Sequence, residues 1–386
     1  MRDLLLLCPS ARDLAAAAAP EIAGRYRVHA VGRDLDDGAP FEPSAILAEA
    51  DALPADGAAG TKDRSALLAA LVSKRRGLPG PQPAAVLRCQ YKPASRAVQR
   101  AAVPGAVPGF AVVDGTAPFP PPFFVKPVVG RLSQGSFRLE RPEQLPVPVD
   151  DPYRRSFARM AELVGLGGLD FNGHLAEELV GGLEVTLEGY VVRGRVVTIG
   201  VTDSVCYPGT RSFERFEYPS RLPRERVDEL AEIAARVVRA LGLDDAFFNV
   251  ELAVPEQGMP QIIEVNARMA SQFAPLVEAT HGRSTYDALF ALACGDDPSW
   301  EEREPDGVAV SWVLRVFEDA LVEAVPGPEP GLELHVRPGL RLSEQGLNDT
   351  ASYRLAIFSE HGATRAEALE RCRVRSAELL RRFVLR

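Results

Sequence analysis

The sequence has little of what marks a disulfide framework, a zinc scaffold or a nucleic-acid partner. Its 386 residues hold five cysteines, Cys8, Cys89, Cys206, Cys294 and Cys372, with no CxxC and no histidine cluster at zinc spacing. A reduced, cytoplasmic protein is expected. Positive charge is not in excess: 44 Lys and Arg stand against 53 Asp and Glu, a net charge of −9. Neither nucleic acid nor an anionic membrane is therefore an expected partner. No apolar run approaches a membrane-spanning length. The opening "MRDLLLLCPSARDLAAAAAP" has only a short apolar run, preceded by Asp3 and broken by Pro9, so it reads as a buried first strand and not as a signal peptide. GxGxxG, GxxxxGK[ST] and GxSxG are all missing, which argues against a dinucleotide fingerprint, a Walker loop and a serine-hydrolase elbow. No internal repeat or low-complexity tract stands out.

What is present suits a soluble α/β protein, 46% hydrophobic and 25% charged, long enough for two or three domains. "DLLLLC", a helix-compatible "SARDLAAAAAPEIAG" and "RYRVHAVG" make a βαβ unit. "TKDRSALLAALVSKRRG" has helical spacing and ends on Gly77, a C-cap residue. From Leu78 to Pro122 proline and glycine dominate, and linkers with short strands are expected there.

The polar face of one strand poses the sharper question. In "QIIEVNARM" Ile263, Val265, Ala267 and Met269 share one parity, and Glu264, Asn266 and Arg268 the other. "AFFNVELAV" alternates likewise, with Asn249 and Glu251 on its polar side. If Gln257-Gly258 is a two-residue turn, Glu251 faces Glu264 and Asn249 faces Asn266. Opposed like charges destabilise a hairpin, so a cation is expected between the glutamates. Two carboxylates and an amide are hard oxygen ligands suited to Mg²⁺. The plainer alternative is a solvated charged face with the glutamates splayed or paired to arginine.

Two further stretches bear on an anion. "FFVKPVVGRLSQGSF" delivers Lys126 at a strand end beside a small-residue loop with Gly130, Ser133, Gly135 and Ser136, an arrangement that attracts phosphate. An ordinary hairpin beside a lysine fits equally well. In "EELVGGLEVTLEGYVVRGRVVTIGVTDSV" the Gly181-Gly182 turn is either a hinge between lobes or a corner of a three-stranded meander.

Taken in order from about Gly77 to Cys294, these motifs resemble the ATP-grasp superfamily of carboxylate–amine ligases. The resemblance implies an N-terminal βαβ pre-ATP-grasp domain (1–95), a small lobe (96–180), a large lobe with the metal hairpin (181–300), and a C-terminal extension (301–386) packing on the large lobe. ATP would lie between the lobes. Lys92 would be a first ATP-contacting lysine and Lys126 a second that reaches the α/β-phosphates, with the Ser133 and Ser136 loop covering them. Glu177, Glu178, Leu179 and Val180 would flank the base, and Glu184 would hold the ribose. Glu251, Glu264 and Asn266 would bind Mg²⁺, for which Mn²⁺ can substitute, and Arg268 would face the γ-phosphate and the intermediate. Two departures stand out: the small-lobe loop is poor in glycine, and "MASQFAP" replaces a Gly-rich turn after the arginine.

The activity implied is activation of a small-molecule carboxylate as an acyl phosphate, followed by capture by an amine, with release of ADP and phosphate. Arg268 and Lys126 would be the catalytic cations, and Arg211 or Arg215 could help Arg268 hold the carboxylate. His281 would be structural or on the substrate side. A small-molecule kinase on the same fold and a non-catalytic nucleotide-binding protein are the alternatives. A homodimer is among the assemblies the resemblance allows.

Overall fold

The structure, a computed structural model, describes residues 1–35, 41–131, 134–301, 303–345 and 352–386. The apolar run near the start forms β1 (Arg2–Leu7), the middle strand of a parallel sheet with β2 (Tyr26–Val31) and β3 (Gly57–Ala59) on either side. Leu4 through Leu7 are all buried, as befits a parallel strand covered on both faces. Helices α1 (Ala11–Ala17), α2 (Pro20–Ala23), α3 (Pro43–Asp51) and α4 (Asp63–Arg76) complete this unit. Pro20 divides the single expected helix into α1 and α2, because proline cannot donate within a helix but suits its first position. Gly77 caps α4 at φ 65°, in the left-handed conformation that glycine adopts without strain.

The proline-rich segment after Leu78 corrects the sequence expectation. It holds two helices, α5 (Pro83–Gln90) and α6 (Lys92–Ala102), each with a proline in its first turn. Read as breakers, these prolines mark helix starts, where the missing N–H would have had no partner. Next come β4 (Phe110–Val112), β5 (Phe123–Pro127), β6 (Phe137–Leu139), α7 (Pro152–Val164) and β7 (His174–Glu177). Their strands form an antiparallel sheet in the order β4-β7-β5-β6 over a small core of Phe123, Val125, Leu139 and Ala176.

After Gly181-Gly182 the chain enters a second sheet, so the strands around this turn do not form one three-stranded meander. This sheet takes β8 (Leu183–Val192), β9 (Arg195–Cys206), β10 (Phe213–Tyr218), β11 (Ala246–Val254) and β12 (Gln261–Asn266), with α8 (Arg224–Leu241) before β11 and α9 (Ala274–His281) and α10 (Thr285–Ala293) after β12. Residues 301–386, expected to pack on the large lobe, instead continue its sheet. They supply β13 (Val308–Val316), β14 (Val322–Ala324), β15 (Leu332–Leu334), β16 (Tyr353–Gly362), α11 (Arg365–Leu380) and β17 (Val384–Leu385). The eight strands run β12-β11-β8-β9-β10-β13-β16-β15, and β14 pairs with β17 separately.

The large sheet explains the two-faced hairpin. Leu230, Ile233, Ala234, Val237, Val238 and Leu241 make one buried stripe along α8 at helical spacing. That stripe packs in one core with Val185, Leu187, Val250, Leu252 and Val265, each large side chain contributing about 1.5–3 kcal/mol. The opposite parity, Glu184, Thr186, Glu188, Asn249, Glu251 and Asn266, is thereby turned to the face of the sheet away from α8. Among the described residues no helix is long and apolar enough to cross a membrane.

Candidate active site

Opposed carboxylates form the floor of the cleft. β11 and β12 pair Asn249 with Asn266 and Glu251 with Glu264, the register expected from the sequence. Toward the turn the pairing jumps to Leu252 and Ile262, leaving Ile263 as the extra residue of a β-bulge. The loop also differs from expectation. It runs from residue 255 to residue 260 instead of forming a two-residue turn, because Pro255 and Pro260 have no N–H to donate to a ladder.

The bulge matters because it exposes carbonyls to cations. The Lys126 Nζ donates to the Ile263 carbonyl at 3.1 Å, and the Arg96 guanidinium donates to the carbonyls of Ile262 at 2.8 Å and Ile263 at 2.9 Å. Arg96 also forks onto Glu177 at 2.6 and 3.0 Å and reaches Gln99 Oε1 at 2.6 Å. Glu177 accepts Lys126 as well, at 2.7 Å. The Glu177 carboxylate, expected beside the base, is instead engaged by these two cations. Burial favours its neutral form, but Lys126 and Arg96 outweigh that and hold it below the usual carboxylate range. Burial, assisted by the charge of Arg96, pushes Lys126 down to about 8.

Lys92, the first residue of α6, sets its Nζ 2.9 Å from Glu264 Oε1 and donates its backbone N–H to the Val128 carbonyl at 2.9 Å. Glu264 is half-buried, a position that favours its neutral form, yet Lys92 and Lys126 hold its carboxyl below the ordinary range. Glu251 goes the other way. Burial first, then the charge of Glu264, pushes it up to about 8. The pair is therefore unequal, with one member neutralised by lysine and the other short of positive charge. The Asn266 Nδ2 donates to Asn249 Oδ1 at 2.9 Å and to Glu251 Oε1 at 3.2 Å, leaving its own oxygen for a cation. Two carboxylates and one amide oxygen fit a hard divalent ion. Among the described residues no group of three or more His, Cys, Asp or Glu could hold a metal alone, so waters and phosphate would complete the shell.

Arg268 is fixed from three elements. Its carbonyl accepts from Asn249 Nδ2 at 2.9 Å, the Ala270 N–H donates to Glu188, and its Nε donates to Asp63 Oδ1 at 2.5 Å. Burial opposes its charge, but Asp63, Glu251 and Glu264 raise its pKa. Glu188 is buried and pushed up to about 8, burial outweighing the Ala270 N–H and the Arg268 charge. Arg96, Asp63 and Glu188 were not read from the sequence. For Arg96 a signal existed: it lies one helical turn from Lys92 on the same face. For Asp63 there was none, since 205 residues separate it from Arg268.

At the hinge the Glu178 carboxylate accepts the Gly109 N–H at 2.9 Å, while the Glu178 N–H donates to the Gly109 carbonyl at 2.9 Å. Leu179 and Val180 stand exposed beside it. Gly182 crosses between the sheets at φ +120°, and a Cβ there would lie 2.3 Å from the Val254 carbonyl oxygen. Glu184, raised by burial, lines a cavity of about 720 Å³ with Ser204, Arg221, Arg226 and Val254. Ser136 is half-buried just before β6, and Ser133 lies outside the described residues. Arg215 is engaged by Glu217 at 2.7 Å and by Glu214, whereas Arg211 lies over the Phe124 ring at 4.7 Å. His281 accepts or donates against the Tyr218 hydroxyl at 2.7 Å, away from the carboxylate pair.

Two antiparallel sheets, a buried lysine on the smaller and a carboxylate hairpin on the larger are the features that the comparisons bear on. Residues 119–275 match the family model of the ATP-grasp domain. The chain is similar to an uncharacterized protein, y4rH, of Sinorhizobium fredii (strain NBRC 101917 / NGR234), 28% identical over 306 residues that cover 74% of this chain and 60% of that protein. Carnosine synthase 1 of Gallus gallus is 29% identical over 206 residues, covering 52% of this chain and 20% of that one. The chain thus spans less than two thirds of the length of either relative. The L-amino acid ligase from Bacillus licheniformis shares the fold at a TM-score of 0.72 and 17% identity, with 100% of this chain and 98% of that chain covered.

Proposed function

We propose that the protein is an ATP- and Mg²⁺-dependent ligase that joins a small-molecule carboxylate to an amine, with ADP and phosphate as co-products, in the cytoplasm. The observation that carries this reading is the unequal carboxylate pair, Glu251 and Glu264, set among Lys92, Lys126 and Arg268 in one buried cleft. The relatives named as an L-amino acid ligase and a carnosine synthase support an amino acid on at least one side of the bond.

Lys126 and Lys92 hold the phosphates, with Lys126 kept in place by Glu177 and the Ile263 carbonyl. Mg²⁺ bound by Glu251, Glu264 and Asn266 would supply charge neutralisation at the phosphates when present. Glu184 takes the ribose, and the exposed Leu179 and Val180 face the base. The substrate carboxylate attacks the γ-phosphorus and ADP leaves; the amine then attacks the acyl carbon, the bond to phosphate breaks, and the new amide loses a proton as phosphate departs. Arg268 stabilises the negative charge that develops in both steps, a contribution of about 10²–10³ in rate.

The test is a screen of amino acids and small acids with ATP, Mg²⁺ and hydroxylamine. A hydroxamate formed together with ADP is expected. AMP with pyrophosphate would overturn the mechanism, and ADP with a stable phosphate ester would make the protein a kinase.

A further inference from the structure

We propose that Asp63, contributed by the N-terminal domain, is a positioning residue that orients the Arg268 guanidinium toward the phosphoryl group. The inference rests on the ligase reading above and adds a residue outside the ATP-grasp domain to its machinery. Asp63 Oδ1 accepts from Nε at 2.5 Å, and the side chains of Asp63 and Arg268 are only 14% and 24% exposed. A guanidinium gripped at Nε has its plane fixed, while its two terminal nitrogens stay forward for an anion. Among the described residues neither terminal nitrogen has a hydrogen-bond partner.

Asp63 is itself held firmly. It is the first residue of α4, where the helix N-terminus favours a carboxylate. Its carbonyl accepts the Gln90 Nε2 at 2.6 Å. The preceding residue, Lys62, is pinned through its N–H to Ser65 Oγ at 3.0 Å, and the Ser65 hydroxyl donates back to the Lys62 carbonyl at 3.1 Å. The aspartate thus stands on a braced helix start and not on a loose loop. Asn249 fixes the Arg268 main chain and Glu188 the next-but-one amide, so Asp63 supplies the remaining constraint, the direction of the side chain.

A second way to see the same contact is as a plug, with Asp63 sitting where a substrate anion would bind. The two readings predict opposite effects. Calorimetry with Mg·ATP and Mg·ADP on the full chain separates them, using Asp63→Ala, Asp63→Asn, Arg268→Ala and the double variant Asp63→Ala/Arg268→Ala. A positioning role predicts ADP affinity within about twofold of wild type and ATP affinity weakened about tenfold in Asp63→Ala, the loss of one charge-assisted hydrogen bond. Asp63→Asn should fall less, because its amide oxygen still accepts from Nε. The double variant should bind ATP no more weakly than Arg268→Ala alone, which a merely structural aspartate would not reproduce. Tighter ATP binding by Asp63→Ala, or a full additional loss in the double variant, would overturn the proposal. Wild-type protein that binds neither nucleotide would overturn the ligase reading, and this inference with it. Thermal melting of each variant checks the fold.

Discussion

Replacing Glu251 with glutamine should stabilise the metal-free protein while removing its dependence on Mg²⁺. The carboxyl group is half-buried against the Glu264 charge, and its pKa rises from 4.5 to about 8. The sign follows from proton binding. Between those values the folded protein holds a proton that the unfolded chain has lost, so stability falls as pH rises from about 4.5 to about 8. At pH 7 the shift amounts to roughly 3 kcal/mol of lost stability. Glutamine keeps an oxygen to accept from Asn266 and removes the titration. Each kcal/mol moves the midpoint by about 2–4 °C in a domain of 150–250 residues, so several degrees are expected. The assay is thermal melting in chelator from pH 5 to pH 8.5, repeated with Mg²⁺ and ADP. Wild type should lose stability with rising pH and regain it with Mg²⁺ and ADP, and Glu251→Gln should do neither. A variant no more stable than wild type at pH 8 in chelator would refute the reasoning, because the pair would then carry no unrelieved charge.

Lys126→Ala should weaken ATP more than adenosine in calorimetry, since the ammonium meets phosphate and not base; equal losses would make the lysine structural. Arg96→Lys keeps a charge but cannot rebuild the fork that grips Glu177 and two carbonyls, and it should lower the unfolding free energy by about 3 kcal/mol in urea titration. An unchanged midpoint would show that this cluster does not hold the lobes together.

The parts legible in the sequence are those whose signal is local. Glu251, Glu264, Asn266 and Arg268 declared themselves because a strand alternates with period two, and their polar side had no business facing solvent. The register of that pair survived even though the turn was misjudged, because the packing of Val250, Leu252 and Val265 on α8 fixes which parity faces the cleft. Composition misled between Leu78 and Pro122, where Pro83 and Pro93 open helices. The continuation of the large sheet through β13 and β16 was hidden for another reason: β13 pairs with β10 across about ninety residues, and no local pattern names a strand's neighbour. Glu177 shows the same limit on a smaller scale. Its place at the end of a strand was readable, but the Arg96 that turns its carboxylate inward comes from a different element.

Those long-range contacts determine the charge state of the cleft. Lys92, Arg96, Lys126 and Arg268 face Asp63, Glu177, Glu251 and Glu264, four cations against four acids. With Glu251 held largely neutral by burial, the cluster carries about one net positive charge, far short of the roughly four negative charges that a nucleoside triphosphate brings. Lysines alone cannot close that gap, because each is already paired with a glutamate. A divalent ion bound by the carboxylate pair would let Glu251 ionise and would offset the phosphates at once, so nucleotide and metal should enter together. The N-terminal domain takes part in the same balance: without Asp63 the guanidinium of Arg268 would lie free beside Glu251 and Glu264 and could collapse onto them. In the proposed ligase reaction, holding it away by a carboxylate from another domain would keep one cation available for the charge that appears only during reaction, which is where a preorganised group lowers a barrier.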